Sequence, residues 1–269
     1  MVTRGAGPER SSAGDPVRTL KLLWRTPGEA RTSRGPRQRT TVDAVVAAAI
    51  EIADADGLGA VTIRAVATRL GIATMATYTY VPGKAELLDL MLDTVYRQMP
   101  RRDLSGMAWR DRVSAIAGEN RELLEQHPWV AQLATTRPPL GPGMIAKYEH
   151  ELCAFDGLGL SDLDMDSALT YVLGFVMSVA RIAIDTNAAR ADSGVTDDTW
   201  WEQAGPVLAT VFDADEFPLA ARVGEAAGRA LGGAYNAEHA YRFGLARVLD
   251  GLAPVIGDRA RGSGRSPAN

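Results

Sequence analysis

Residues 73–80 carry side chains suited to a polar surface, because they are rich in hydroxyls and small methyl groups and have few aliphatic side chains for a core. Hydroxyl, thioether and methyl groups suit the base edges and phosphates of nucleic acid. The candidate contacts in this stretch are Thr74, Met75, Ala76, Tyr78, Thr79 and Tyr80. The composition favours a short helix that faces nucleic acid, although spacing alone fits an ordinary helical hairpin equally well.

Other kinds of chemistry have little support in the sequence. His127, His150 and His239 lie on three different segments, and His150 stands between two glutamates, which is typical of a solvated helix face. The single cysteine, Cys153, is expected to pack as a small apolar residue. No H-E-x-x-H, P-loop or dinucleotide-binding glycine pattern occurs. We therefore expect no catalytic residues, no metal site and no cofactor, and the chain is not predicted to be an enzyme.

Two flanking helices are predicted to hold the short one. Thr62 is suited to cap the first, whose apolar residues Ile63, Val66, Ala67 and Leu70 recur at helical spacing. Gly71 allows a sharp turn with positive φ, and Pro82 ends the short helix because its ring removes an amide donor. The following helix is amphipathic, with Leu87, Leu88, Met91, Leu92 and Val95 on its buried side.

These residues resemble a known family. TIRAVATRLGI at 62–72, followed by TYTYVPGKAELL at 77–88, closely resembles the DNA-binding domain of the TetR family of transcriptional regulators. TRP at 136–138 and YRFGLARVLDGL at 241–252 resemble the tetracycline-repressor branch, so the resemblance spans residues 41–256. It implies that an apolar-striped helix at 41–56 holds the two DNA-reading helices in place.

The resemblance also implies roles for single residues. Arg64 would reach a base or phosphate, Tyr78 and Tyr80 would contact the DNA backbone, and Lys84 would pair with a phosphate. Thr62 joins these candidates. Tyr80 departs from the histidine common in the family, and Gly83 replaces a polar capping residue, so the resemblance is weaker at those two positions.

The charge of the chain is unevenly distributed. The net charge is −4, yet residues 1–40 carry nine Lys or Arg against three acids, which is +6, whereas residues 41–103 carry six against eight, which is −2. We expect residues 1–40 to be a disordered basic arm in which TLKLLWR, residues 19–25, docks on the body. Arg31, Arg34, Arg37 and Arg39 are predicted to contact phosphates or a minor groove. The alternative is a passive, solvated tail.

The rest of the chain predicts an all-α protein with two domains. We expect a DNA-binding domain at 41–103, a ligand-binding and dimerisation domain at 104–257 and a disordered tail at 258–269. Long helices at 165–189 and 237–255 are predicted to pair across a two-fold axis in a homodimer. The longest nearly apolar run, residues 171–180, is too short for a membrane span, so a cytoplasmic protein is expected.

The resemblance gives an expectation about the effector. Tetracycline repressors hold the drug and its magnesium with a histidine just before the TRP turn, but Leu133 takes that position here, and Pro100 and Ile116 replace further polar contacts. Tetracycline is therefore disfavoured. Aromatic and soft apolar residues predict a flat, mainly apolar effector, although each of them could equally belong to an ordinary core. They are Trp129, Met144, Tyr148, Tyr171, Phe175, Met177, Trp200, Trp201 and Phe212.

The sequence thus predicts a ligand-responsive transcriptional repressor that binds a palindromic operator as a homodimer. An activator with the same DNA binding remains open. A helical small-molecule-binding protein or enzyme, in which the helix-turn-helix is only scaffold, is the alternative from another class.

Overall fold

The computed structural model describes residues 9–26, 40–135, 137–231 and 235–262, and the predicted all-α fold is confirmed, since this part of the chain contains helices and no strand. The helices are α1 Pro16–Leu23, α2 Val42–Asp56, α3 Ile63–Arg69, α4 Thr74–Thr77, α5 Lys84–Gln98, α6 Trp109–Gln126, α7 Trp129–Gln132, α8 Pro142–Leu152, α9 Asp162–Ser193, α10 Asp197–Val211, α11 Pro218–Leu231 and α12 Ala237–Gly262. The chain divides into two compact units, residues 1–169 and 170–269, with the division inside α9. The boundary expected at residue 103 stays a prediction.

Local signals in the sequence determine the ends of the first helices. Thr41 caps α2 by accepting a hydrogen bond from the backbone N–H of Ala44, and Gly57 ends this helix at φ 81°. Thr62 caps α3 in the same way, as the sequence predicted. Gly71 follows α3 at φ 65°, in the left-handed region that a residue with a Cβ rarely adopts.

Helix α5 is buried on nearly every side. The sequence predicted one apolar face, and its five residues are indeed buried, but Glu86, Asp89 and Asp93 are buried as well. The reason is that α1, α2 and α8 all pack against α5. The amphipathic pattern therefore underestimates how much of this helix the protein covers.

Residues 9–26, which we call the N-terminal strap, are ordered, so the expectation of disorder is wrong for residues 9–18. Asp15 caps α1 by accepting from the N–H of Arg18, and Leu23 is 2% exposed. The indole N–H of Trp24 donates to the carbonyl of Leu140. The docking predicted for TLKLLWR occurs through buried Leu23 and the hydrogen bond of Trp24, whereas Leu20 and most of the Trp24 ring stay exposed. The four arginines Arg31, Arg34, Arg37 and Arg39 lie outside the described residues.

Polar pairs are buried among α6 and α8 of the first unit. His150 Nε2 lies 2.9 Å from Glu119 Oε2, so the predicted solvated helix face is wrong. Lys147 donates to Glu151 at 2.6 Å, and both side chains are buried. Cys153 is exposed rather than packed.

The second unit consists of most of α9 and helices α10 to α12. Both long helices exceed the predicted limits, and α12 runs to Gly262, into the stretch expected to be a disordered tail. By length and composition α9 could cross a membrane, a test that the core helix of a soluble protein also passes. The predicted absence of a membrane span stays a prediction.

Gly244 allows α12 to approach α9 closely. A Cβ built at this position would lie 2.3 Å from a ring carbon of Phe175, whereas one built at Gly251 on the same helix would meet nothing within 4 Å. Gly244 therefore permits close approach of the two helices within one chain.

We predict that Gly244→Ala lowers the free energy of unfolding and that Gly251→Ala raises it. Alanine favours a helix over glycine by up to about 1 kcal/mol at either site, but at Gly244 the clash with Phe175 costs about 1–3 kcal/mol. Urea unfolding of both variants measures the difference. Equal stabilisation by the two substitutions would contradict this account of the contact.

Candidate nucleic-acid interface

The predicted DNA-reading stretch forms a short helix with its side chains outward. Backbone N–H groups of Thr79 and Tyr80 donate to the carbonyls of Ala76 and Thr77, so tight turns extend α4 towards Val81. Thr77 is fully buried and anchors the helix, while Met75 is 75% exposed. A large apolar side chain at that exposure is available to a partner.

The structure places every predicted DNA contact at or near the surface. Six are exposed and three are partly buried. The exposed ones are Thr62, Arg64, Thr74, Met75, Tyr78 and Thr79, and the partly buried ones are Ala76, Tyr80 and Lys84. Helix α3 packs against α4, so Arg64 belongs to the element that directly supports the reading helix.

Arg64 differs from the other cations of residues 41–103. Within the described chain its guanidinium has no ion pair or hydrogen bond, and the side chain is exposed. The remaining five have protein partners: Arg69 pairs with Glu51, Lys84 with Glu9, Arg97 with Asp93 and Arg102 with Glu122, and Arg101 donates to the carbonyl of Tyr96. Among the cations of residues 41–103, Arg64 is thus the one whose charged group has no partner in the described chain.

Lys84 has a partner that the sequence did not predict. Its ammonium lies 2.7 Å from Glu9 Oε1, and Glu9 belongs to the N-terminal strap. The lysine expected to bind a phosphate is therefore neutralised within the chain when no DNA is present.

Asp54 joins α2 to the segment that follows α6. One of its oxygens, Oδ1, lies 2.8 Å from His127 Nδ1 and accepts the indole N–H of Trp129 at 2.8 Å. Sequence reasoning missed this link and placed Trp129 among the effector contacts. The indole is buried and committed to Asp54, which favours a structural role for it.

The other predicted effector residues are divided between the two units. In the first unit, Tyr148 donates its hydroxyl to Asp166, and the backbone N–H of Met144 donates to Asp93. The second unit contains Tyr171, Phe175, Met177, Trp200, Trp201 and Phe212. There, the rings of Trp200 and Trp201 meet edge to face at 4.8 Å. The six side chains of the second unit are exposed or partly exposed, and their role towards an effector stays a prediction.

A capped helix, a glycine turn and a short exposed helix rich in hydroxyls define a helix-turn-helix DNA-binding protein. The tetracyclin repressor-like C-terminal domain model matches residues 103–256. The HTH-type transcriptional repressor DrrR1 of Streptomyces coeruleorubidus is 40% identical over 257 residues, which cover 95% of this chain and 92% of that protein. An HTH-type transcriptional regulator of Saccharopolyspora erythraea is 34% identical over 180 residues, covering 65% of this chain and 76% of that protein.

The chain therefore belongs to the TetR family of transcriptional regulators, a family of regulators rather than enzymes. The predicted role as a transcriptional repressor is confirmed. Apo ActR from Streptomyces coelicolor shares the fold with a TM-score of 0.66 at 24% identity, over 84% of this chain and 99% of that one. ActR in complex with actinorhodin gives a TM-score of 0.66 at 25% identity, over 81% of this chain and 97% of that one.

Asp89 is an unusual carboxylate on the helix that follows the reading helix. It is buried on α5 and accepts the backbone N–H of Ser12 at 2.7 Å. Burial raises the pKa of Asp89 to about 6, the Ser12 N–H opposes that rise, and the nearby Glu86 adds to it. Folded protein therefore keeps this proton at pH values where an unfolded Asp, with a pKa of about 3.9, has lost it.

We predict that Asp89→Asn stabilises the protein at pH 7 and not at pH 4. Because the folded state binds the proton more tightly, the stability of the native protein falls as pH rises from about 4 to about 6. The asparagine variant lacks this loss, which we expect to be about 1–2 kcal/mol after allowance for nearby solvent. Urea unfolding from pH 4 to 7 tests it, with the exposed Asp56→Asn on α2 as control. A difference independent of pH would contradict the assignment.

Proposed function

We propose that this protein is a homodimeric, ligand-responsive repressor. Its two α4 helices read successive major grooves of a palindromic operator, about 34 Å apart, and a small, mainly apolar effector lowers operator affinity by changing their separation. Residues 41–103 act as the DNA-binding domain and residues 104–257 as the ligand-binding and dimerisation domain. The protein works in the cytoplasm.

The observation that carries this proposal is Arg64. It is exposed next to a short helix of outward hydroxyls, and the described chain offers it no partner. An exposed, unpaired arginine at such a helix fits direct contact with a base or phosphate. The predicted contacts Thr62, Thr74, Met75, Tyr78 and Thr79 share its exposure.

Two further features support the dimer and the effector. Large apolar side chains are exposed on the two long helices, Tyr171 on α9 at 56% and Phe243 on α12 at 59%. Such surface is uncommon in a monomer and suits a helix-to-helix interface. The crystallised complex of ActR with actinorhodin supports a small-molecule effector for this fold, with the aromatic side chains of residues 171–212 as contacts. The contribution of Arg31, Arg34, Arg37 and Arg39 stays a prediction.

We predict that Arg64→Ala lowers operator affinity about tenfold and that Tyr78→Phe lowers it several-fold. The first removes a charged contact and the second a single hydroxyl donor. Fluorescence polarisation with a duplex selected from a random pool by the full-length protein measures both. Arg121→Ala, on α6, is the control because it removes the same charge from a helix outside the DNA-binding domain. Unchanged affinity in both Arg64→Ala and Tyr78→Phe would exclude these two residues as DNA contacts.

We predict that Phe243→Glu converts the dimer to a folded monomer. The side chain is exposed in one chain, so a carboxylate there leaves the fold intact but would lose its water in the interface. Light scattering gives the mass, and circular dichroism verifies the fold. Val17→Glu is the matched control, since Val17 is 62% exposed on α1. A stable Phe243→Glu dimer would show that α12 does not form the interface.

A further inference from the structure

One side of the N-terminal strap is bonded to the DNA-binding domain. The backbone N–H of Ser12 donates to Asp89 Oδ1 at 2.7 Å, and Glu9 pairs with Lys84 at 2.7 Å, so two contacts hold the first half of α5. At its other end the strap reaches α2, where Arg25 pairs with Asp43. The strap thus touches α5 and α2, two helices that pack on each other.

The other side of the strap is bonded to the connection between α7 and α8. Ser11 N–H donates to the carbonyl of Ala134 at 3.1 Å, and Ala134 N–H donates to the carbonyl of Glu9 at 2.9 Å. The Ser11 hydroxyl donates to the carbonyl of Arg137 at 2.7 Å, and the Trp24 indole donates to that of Leu140 at 2.8 Å. The strap's partners in these bonds, Ala134, Arg137 and Leu140, all belong to residues 103–256, the part matched by the C-terminal family model.

The attachment is specific rather than a loose covering. Ser11 and Leu23 are buried, and Ser12 adopts φ 52°, a left-handed conformation that costs free energy in a residue with a Cβ. Such a conformation persists where neighbouring contacts determine it. Here they do, because Ser11 and Ser12 donate in turn to opposite sides, to Ala134 and to Asp89.

The strap is also attached to both partners of the main contact between the two regions. Helix α8 packs on α5, with the N–H of Met144 donating to Asp93. The strap holds α5 at Asp89, one turn before that contact, and holds the chain at Leu140, just before α8 begins. A segment bonded to both partners of a packed contact resists rotation of one helix on the other.

We infer that the strap is a positioning element that fixes the DNA-binding domain on the α7–α8 connection and so sets the separation of the two reading helices in the dimer. This inference rests on the proposed function. Without the strap, each DNA-binding domain can rotate about the α5–α8 contact, and the dimer accepts operators whose half-sites are wrongly spaced. The strap then determines which half-site spacing the dimer accepts, independently of any contact that it makes with DNA.

The test is a spacing series. Full-length protein selects a palindromic duplex from a random pool, and its affinity is measured for that duplex and for copies with one or two base pairs inserted or removed at the centre. Each added base pair moves a half-site by about 3.4 Å and rotates it by about 34–36°. The native protein should lose about 100-fold or more at the wrong spacing. Leu23→Asp places a charge at a buried position and so releases α1 from the protein surface, which should reduce that loss to about tenfold or less.

Val17→Asp is the matched control, because it places the same charge on the exposed side of the same helix. Hydrogen exchange verifies that residues 9–26 lose protection in Leu23→Asp while α6 keeps it, which separates release of the strap from general unfolding. If Leu23→Asp fails to fold, Ser12→Pro replaces it, since proline has no N–H for Asp89 and cannot adopt φ 52°.

The outcomes are distinct. A released strap with an unchanged spacing penalty overturns the inference and leaves the proposed function standing. A native protein that selects no palindrome, or shows no dependence on spacing, overturns the proposed function and this inference with it. A reduced penalty in the strap variant, with native behaviour in Val17→Asp, supports both.

Discussion

A carboxylate that loses its water on folding must find hydrogen-bond donors within the protein, and α5 carries two that find them in neighbouring backbone. Asp89 accepts the N–H of Ser12, and Asp93 accepts the N–H of Met144. One donor belongs to the strap and the other to the first turn of α8. The hydrogen bonds of α5, the helix that follows the reading helix, are therefore completed by segments that come from elsewhere in the chain.

This requirement explains the glycines at the start of α8. A Cβ at Gly143 would lie 2.0 Å from the carbonyl oxygen of Asp93, and one at Gly141 would overlap the Asp93 carboxylate. With no side chains there, the first turn of α8 can direct its free N–H groups at a negative charge, which the helix dipole also favours. The α5–α8 contact is thus both a packed interface and an electrostatic one, so a change in α8 has a direct route to the helix that follows the reading helix.

The sequence predicted the DNA-reading elements well because their signals are local. Thr62 and its acceptor role, the positive φ of Gly71 and the outward side chains of α4 each depend on a few neighbouring residues. The strap and the buried acids could not be predicted in this way, since Ser12 lies 77 residues from Asp89 and Ser11 lies 126 from Arg137. Composition was misleading there, because a stretch rich in Gly, Ser and Arg satisfies its backbone by bonding to distant residues in the α7–α8 connection and on α5.

Paired cations change how the surface of the DNA-binding domain meets DNA. Lys84 and Glu9 are both partly exposed, and an exposed ion pair contributes at most about 1 kcal/mol. A phosphate can therefore replace the Glu9 carboxylate with little net change in energy, but the displaced carboxylate then regains its own counterions. Under the proposed function, Lys84 should consequently add less than the full value of about 0.9 to the slope of log affinity against log salt, whereas unpaired Arg64 should add all of it. Because residues 41–103 carry a net charge of −2, electrostatic attraction by this domain is weak, and under the proposed function specificity would come from the shape and hydroxyls of α4 together with Arg64.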